Sequence, residues 1–258
     1  TGSNIIVRCA RPFKPARRRV DVKTWTTKSG PTITRVMGGR CNVFLVSHGG
    51  RFLLVDTGPA GMWRLLISRL RKLGAEKLDG IVLTHTHFDH AGKAARLREM
   101  FGCPVYVHRS EAGLLGRGAN PVIRGSTPFG SAVAFLASIT PKKMLAYAPC
   151  ATDVTVDERL DLPDFGPNTY ILHTPGHTRG SMSVIVGGET ALAGDGLVGM
   201  FRSTAFPPFA EDSRELVESW GRLLGTGCRI FLPAHGGAKN ADELRAEYER
   251  RRVAHRAP

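Results

Sequence analysis

The sequence lacks any apolar run approaching eighteen residues, which excludes a transmembrane helix. It also lacks a Cys-x-x-Cys pair. Cys9, Cys41, Cys103, Cys150 and Cys228 are odd in number and widely spaced, so they read as small core residues in a reducing compartment and not as a disulfide framework. There is no repeat at a fixed period and no low-complexity tract. The chain opens Thr1-Gly2-Ser3 without a methionine, which reads as a cloning scar and leaves a removed targeting segment open. The basic residues that follow lack the apolar stretch of a secretory signal, so the cytoplasm is the expected location.

Acidic residues are the scarce charge: 22 Asp and Glu against 36 Lys and Arg give a formal net charge of +14. The excess is uneven. Residues 1–23 hold seven basic side chains against Asp21 and supply +6 of the total. We read this segment as a solvated basic arm, with a nucleic-acid contact as the less favoured alternative. Arg outnumbers Lys 27 to 9, which coding bias explains as readily as phosphate recognition. With 42% hydrophobic and 22% charged residues, the composition is globular and excludes wholesale disorder. A length of 258 residues fits one large α/β domain, here residues 24–258, with an insertion.

Alternation and β-branched content predict strands over 4–10, 32–37, 41–47 and 51–56, with His48-Gly49-Gly50 as a hairpin turn. Met62, Leu66, Leu70 and Leu73 at helical spacing predict a helix ending near Gly74. Strands at 79–84 and 103–108 flank a helix from about 91 to 101. Residues 109–150 loosen into Gly- and Pro-marked turns, with one apolar segment, 132–139, of helical character. We read about 110–150 as an insertion or lid. Strands at 152–156, 169–173, 181–186, 190–193 and 229–232 follow, with helices at 212–224 and 241–252.

His85-Thr86-His87-Phe88-Asp89-His90 stands at the carboxyl end of the 79–84 strand. With 9 His and 11 Asp, a shuffled chain would contain the HxHxDH frame with a probability of roughly 5 in 10,000. Residues two apart in an extended segment point to one side, so His85 and His87 can pinch one cation between them. Asp89 and His90, at the turn into the helix, can offer a carboxylate and an imidazole to a second. Either pair alone is short of ligands. Other candidates are His or Asp beside Gly or Pro at strand ends, where backbone can approach closely: His177 in Pro175-Gly176-His177, Asp195 in Gly194-Asp195-Gly196, and His235 in Ala234-His235-Gly236. Nitrogen and oxygen ligands without thiolate suit Zn first, with Fe or Mn as alternatives.

In these five landmarks, counting the Asp56-Thr57-Gly58 turn, the chain resembles the metallo-β-lactamase superfamily over roughly residues 33–238. The resemblance implies a four-layer αββα sandwich with the site at one edge. It further implies two divalent ions, one on His85, His87 and His177, the other on Asp89, His90 and His235, with Asp195 bridging. The implied chemistry is hydrolysis by a metal-bridging hydroxide, with Asp89 shuttling a proton to the leaving group. Asp56 has two readings, as a support that fixes the tautomer of a ligating imidazole or as a turn residue capping Gly58.

Asp195 stands where true β-lactamases of the superfamily carry cysteine or another residue, so the chain resembles the glyoxalase II, lactonase and phosphodiesterase branches more closely. Only 23 residues follow His235, too few for the helical domain of glyoxalase II, and Val198 stands where lactonases typically carry a tyrosine. The expected function is therefore hydrolysis of a small-molecule ester, thioester or lactone. Phosphodiester or nucleic-acid hydrolysis, a mononuclear-iron persulfide dioxygenase chemistry, and a side activity on β-lactams are the alternatives. His173 is expected to be buried and bonded to backbone, while His48, His108 and His255 receive no role. Tyr147, Phe129, Phe135 and Met144 are expected to give the insertion its own small core; the other reading places them in a substrate pocket.

Overall fold

The structure, a computed structural model, describes residues 22–141 and 145–254. The strand expected at 4–10, nearly all of the basic arm, Met144 and His255 lie outside the described residues.

Two sheets form. The first runs in chain order: β1 (Thr24–Thr26), β2 (Thr32–Met37), β3 (Val43–His48), β4 (Arg51–Val55), β5 (Gly80–Val82), β6 (Val105–His108) and β7 (Val154–Val156). β1 to β4 are an antiparallel meander, and β4 to β7 are parallel. Parallel neighbours require crossovers. These carry α1 (Trp63–Lys72), α2 (Phe88–Ala91), α3 (Ala94–Phe101), α4 (Arg109–Leu115) and α5 (Pro128–Ile139). The second sheet has the order β13-β12-β11-β10-β9-β8, with β8 at Arg159–Asp161, β9 at Tyr170–His173, β10 at Met182–Val186, β11 at Thr190–Gly194, β12 at Ile230–Pro233 and β13 at Lys239–Asn240. α6 (Ser213–Gly225) crosses between the parallel pair β11 and β12, and α7 (Ala241–Ala254) closes the described chain.

Strand periodicity makes the layering explicit. In β3, Val43 and Leu45 join the core under α1 and α3, while Phe44 and Val46 face the second sheet. In β10, Met182, Val184 and Val186 face the first sheet, and Ile185 joins the core under α6 and α7. Side chains two apart share a face, so a strand buried on both faces reads as an unbroken apolar run. Three separate cores thus sit between four layers, the αββα sandwich.

Three local expectations change. The helix expected from 91 to 101 is broken between α2 and α3. A β-carbon at Gly92, in the break, would lie 2.6 Å from the backbone nitrogen of Ala60, so the missing side chain there lets the site helix press on the 57–60 turn. α4 replaces expected turns: the His108 ring accepts from the backbone N–H of Ser110 and caps it, despite Gly113 inside. β1 and β8 were not expected, because short, half-exposed edge strands carry little apolar signal. Cys41, Cys103, Cys150 and Cys228 are free and buried, as small core residues. No described helix is long and apolar enough to cross a membrane.

Trp220 on α6 is fully buried, and its indole N–H donates to the Gly196 carbonyl at 2.6 Å, beside Asp195. Trp220→Ala is expected to lower unfolding free energy by about 3–5 kcal/mol, checked by chemical denaturation.

Candidate metal centre

All seven sequence-selected side chains meet at one edge, where strand ends of both sheets converge. His85, His87, Asp89 and His90 follow β5. His177 lies between β9 and β10, Asp195 follows β11 and His235 follows β12. Donor atoms of His85, His87 and His177 lie within 4.8 Å of one another, as do those of Asp89, His90 and His235. Asp195 touches both sets, 3.7 Å from His177 Nε2, 3.5 Å from His90 Nε2 and 3.3 Å from His235 Nε2.

The donor atoms are held and aimed. His90 Nδ1 lies 2.9 Å from Asp56 Oδ2, which fixes the tautomer that leaves Nε2 facing the site. His177 Nδ1 is tied to the Phe209 carbonyl at 2.9 Å in the same way. Yet His85 Nε2, His87 Nε2, His90 Nε2 and Asp195 Oδ1 are buried without a hydrogen-bond partner among the described residues. Buried polar atoms are normally satisfied, so several orphans converging from separate segments fit a bound cation. The set is imidazole and carboxylate, the chemistry of Zn, Fe or Mn.

Asp56 resolves to the supporting role. Its backbone is left-handed (φ 61°), and its carboxylate accepts from Thr84 N–H at 2.8 Å and from the Thr84 hydroxyl while engaging His90. His173 is bonded to backbone as expected, to the Arg179 carbonyl at 2.8 Å, but it is half-buried and not fully buried. The insertion's expected small core does not form from its aromatics. Phe129 and Phe135 are 68% and 66% exposed, because apolar residues ring α5 and leave no single stripe to bury. Tyr147 instead joins the core beneath the first sheet and donates to the Ala119 carbonyl at 3.0 Å.

Three supporting residues escaped the sequence reading. Asn42 donates to the carbonyls of Pro233 and Gly236, both at 2.9 Å, holding the turn that carries His235. Buried Lys93 donates to the Thr57 carbonyl at 2.9 Å, behind the Asp56 turn. Buried Glu111 accepts from Thr86 N–H at 2.6 Å and from the Thr86 hydroxyl at 2.7 Å. Burial of an Asn, Lys or Glu has no local sequence signal; Lys93, three residues past the HxHxDH frame, was the nearest to one.

The two triads differ electrically. Burial, reinforced by neighbouring imidazoles, pushes His85 well below the ordinary range and His87 down to about 3. The Asp195 charge raises His235 to about 10. Burial opposes charge on His90, but the surrounding acids outweigh it and raise it. Burial also holds Cys41, 3.9 Å from His90 Nδ1, as a thiol by pushing it up to about 12.

The sign of the linkage follows. Between pH 6.5 and about 3 the unfolded chain protonates His87 and the fold does not, so stability falls as pH falls through that window. His235 contributes in the opposite sense, with stability present below 6.5 and lost as pH rises towards about 10. For chelator-treated protein, the acid-side fall in melting temperature is expected to be shallower in His87→Asn, and the alkaline-side fall shallower in His235→Asn. Calorimetry across pH 4–10 checks both; parallel profiles in the variants and wild type would contradict the assignment.

A family model described as the metallo-beta-lactamase superfamily matches residues 36–235. A probable metallo-hydrolase of Methanocaldococcus jannaschii is 31% identical over 148 residues, covering 57% of this chain and 63% of that protein, under two thirds of its length. An atrochrysone carboxyl ACP thioesterase of Aspergillus fumigatus is 24% identical over 216 residues, covering 80% of this chain and 56% of the thioesterase. The crystal structure of TTHA1623 in a di-iron-bound form has 26% identity and a TM-score of 0.59, covering 82% of this chain and 96% of that one. The match to the family model takes in strands of both sheets and every strand end that contributes to the centre, and the chain belongs to the metallo-β-lactamase superfamily.

Proposed function

We propose that the protein is a metal-dependent hydrolase that opens a small-molecule ester, thioester or lactone. The observation that carries this reading is the set of partnerless buried donor atoms on His85, His87, His90 and Asp195, gathered from strand ends of both sheets. His85, His87 and His177 would hold one divalent ion, Asp89, His90 and His235 a second, and Asp195 would bridge them. Zn is the favoured metal, with Fe or Mn as alternatives, and a di-iron relative supports the count of two. Such ions supply Lewis acidity and make water acidic enough to ionise near neutral pH.

The chain's own residues do the rest. Asp56 and the Phe209 carbonyl hold Nδ1 of His90 and His177, so that the Nε2 atoms of both face inward. Asp89, at the cavity wall and 3.4 Å from His235 Nε2, can pass a proton to a leaving group. The cavity above the centre has a volume of about 350 Å³ and is walled by Ile123, Val133, Leu145, Val198, Met200 and Phe209. The described wall is largely apolar, which favours a substrate with an apolar acyl group. Ile123, Val133 and Leu145 come from the 110–150 segment, so the insertion would select the substrate. The thioesterase relative supports a thioester within this class.

Protein prepared without chelator is expected to carry two transition-metal ions per chain by elemental analysis; fewer than one would refute the reading. In a hydrolysis screen, thioesters and lactones are expected to exceed phosphodiesters and β-lactams. Asp195→Ala should lower both metal content and turnover, the latter by about a thousandfold if the bridge supports several kcal/mol of charge stabilisation. Deleting residues 1–23 should leave hydrolysis unchanged.

A further inference from the structure

Glu111 is 2% exposed and sits in the first turn of α4, outside the seven-residue cluster. A carboxylate buried this deeply is unfavourable unless its lone pairs are occupied. Here they are occupied by neutral donors from two different segments. One oxygen, Oε2, accepts from the backbone N–H of Thr86 at 2.6 Å and from its hydroxyl at 2.7 Å. The other, Oε1, accepts from the Thr178 hydroxyl. Thr86 lies between His85 and His87. Thr178 follows His177 directly and is itself tied to Ser181, its N–H donating to the Ser181 hydroxyl at 3.0 Å.

A single carboxylate therefore spans the two loops that carry the three-histidine set, one from each sheet. A second observation agrees. Gly180 packs so closely that a β-carbon there would lie 2.6 Å from Glu111 Cγ and 2.9 Å from Oε1. The His177 loop closes on Glu111 only because residue 180 has no side chain. The Asp89, His90 and His235 set has different supports, Asp56 behind His90 and Asn42 behind the His235 turn.

We infer that Glu111 is a positioning residue for the three-histidine set alone, fixing His177 against His85 and His87 through Thr178 and Thr86. The inference rests on the metal-ligand reading given above. Groups that orient ligands from behind typically alter metal affinity by 10- to 100-fold when removed, and the geometry confines that effect to one of the two sets.

Co²⁺ affinity measured by equilibrium dialysis in two backgrounds separates the sets. His235→Ala isolates the three-histidine set, and His177→Ala leaves the Asp89, His90 and His235 set. Adding Glu111→Ala is expected to weaken Co²⁺ binding about 10- to 100-fold in the first background. In the second the change should stay under about twofold, as for an independent site. Glu111→Gln, which keeps an acceptor for Thr86 but turns a donor towards Thr178, should fall between. Gly180→Ala displaces the carboxylate without removing it and should act in the same direction, so it carries the test if Glu111→Ala does not fold. The melting temperature of each metal-free variant reports folding separately. Unchanged affinity in the first background, or equal weakening in both, would overturn the inference and leave the metal-ligand reading standing. A wild-type protein that takes up no Co²⁺ would overturn that reading and this inference together.

Discussion

Imidazole nitrogens taken out of water must find a partner, and the arrangement of this protein turns on several that find none among the described residues. His85, His87 and His177 bring donor atoms within 4.8 Å of one another in a buried site, where a proton on His85 or His87 is opposed by burial and by neighbouring imidazoles. Neutral imidazoles facing a common point have only lone pairs to offer there. Their surroundings resist relaxation of that unfavourable geometry: the Phe209 carbonyl holds the His177 ring from behind, Asp56 does the same for neighbouring His90, and the strand ends that carry them are anchored in apolar cores.

The two sheets make this possible because neither carries a full set. The first sheet supplies four side chains within six residues after β5, and the second supplies three from three separate strand ends. The core between the sheets, built from alternate residues of β3, β4, β9 and β10, fixes their relative position. Contacts that cross the edge then tune it. Asn42 reaches the His235 turn, and Glu111 reaches from Thr86 to Thr178. Asp195, within 3.7 Å of nitrogens from both sets, joins the halves electrostatically.

The cavity above the centre has a different character. Its apolar walls come largely from segments with weak periodicity, the 110–150 stretch and the 197–209 loop. α5 contributes Val133 to the cavity while leaving Phe129, Phe135, Leu136 and Ile139 exposed. The part that would choose a substrate is thus less rigidly specified by core packing than the part that would hold metal, as expected where scaffold and specificity are carried by different segments.

Motif residues and strongly periodic elements were legible because their signals are local. β2 emerges at the predicted residues, and all seven candidate site residues converge, since each lies in a short frame at the end of an apolar strand. α4, the short edge strands and the break between α2 and α3 were not legible, because a capping imidazole, edge pairing and the close approach of Gly92 to Ala60 depend on neighbours far along the chain. The same holds for Asp56, left between two readings until its carboxylate met His90, and for Glu111 and Asn42, ordinary polar residues in sequence. The sequence by itself determined which side chains could serve as donors and which strand ends carry them, since alternation and spacing act over a few residues. Only the tertiary structure decided which buried polar groups support those donors, because hydrogen bonds between segments 25 to 194 residues apart exist only after the layers pack.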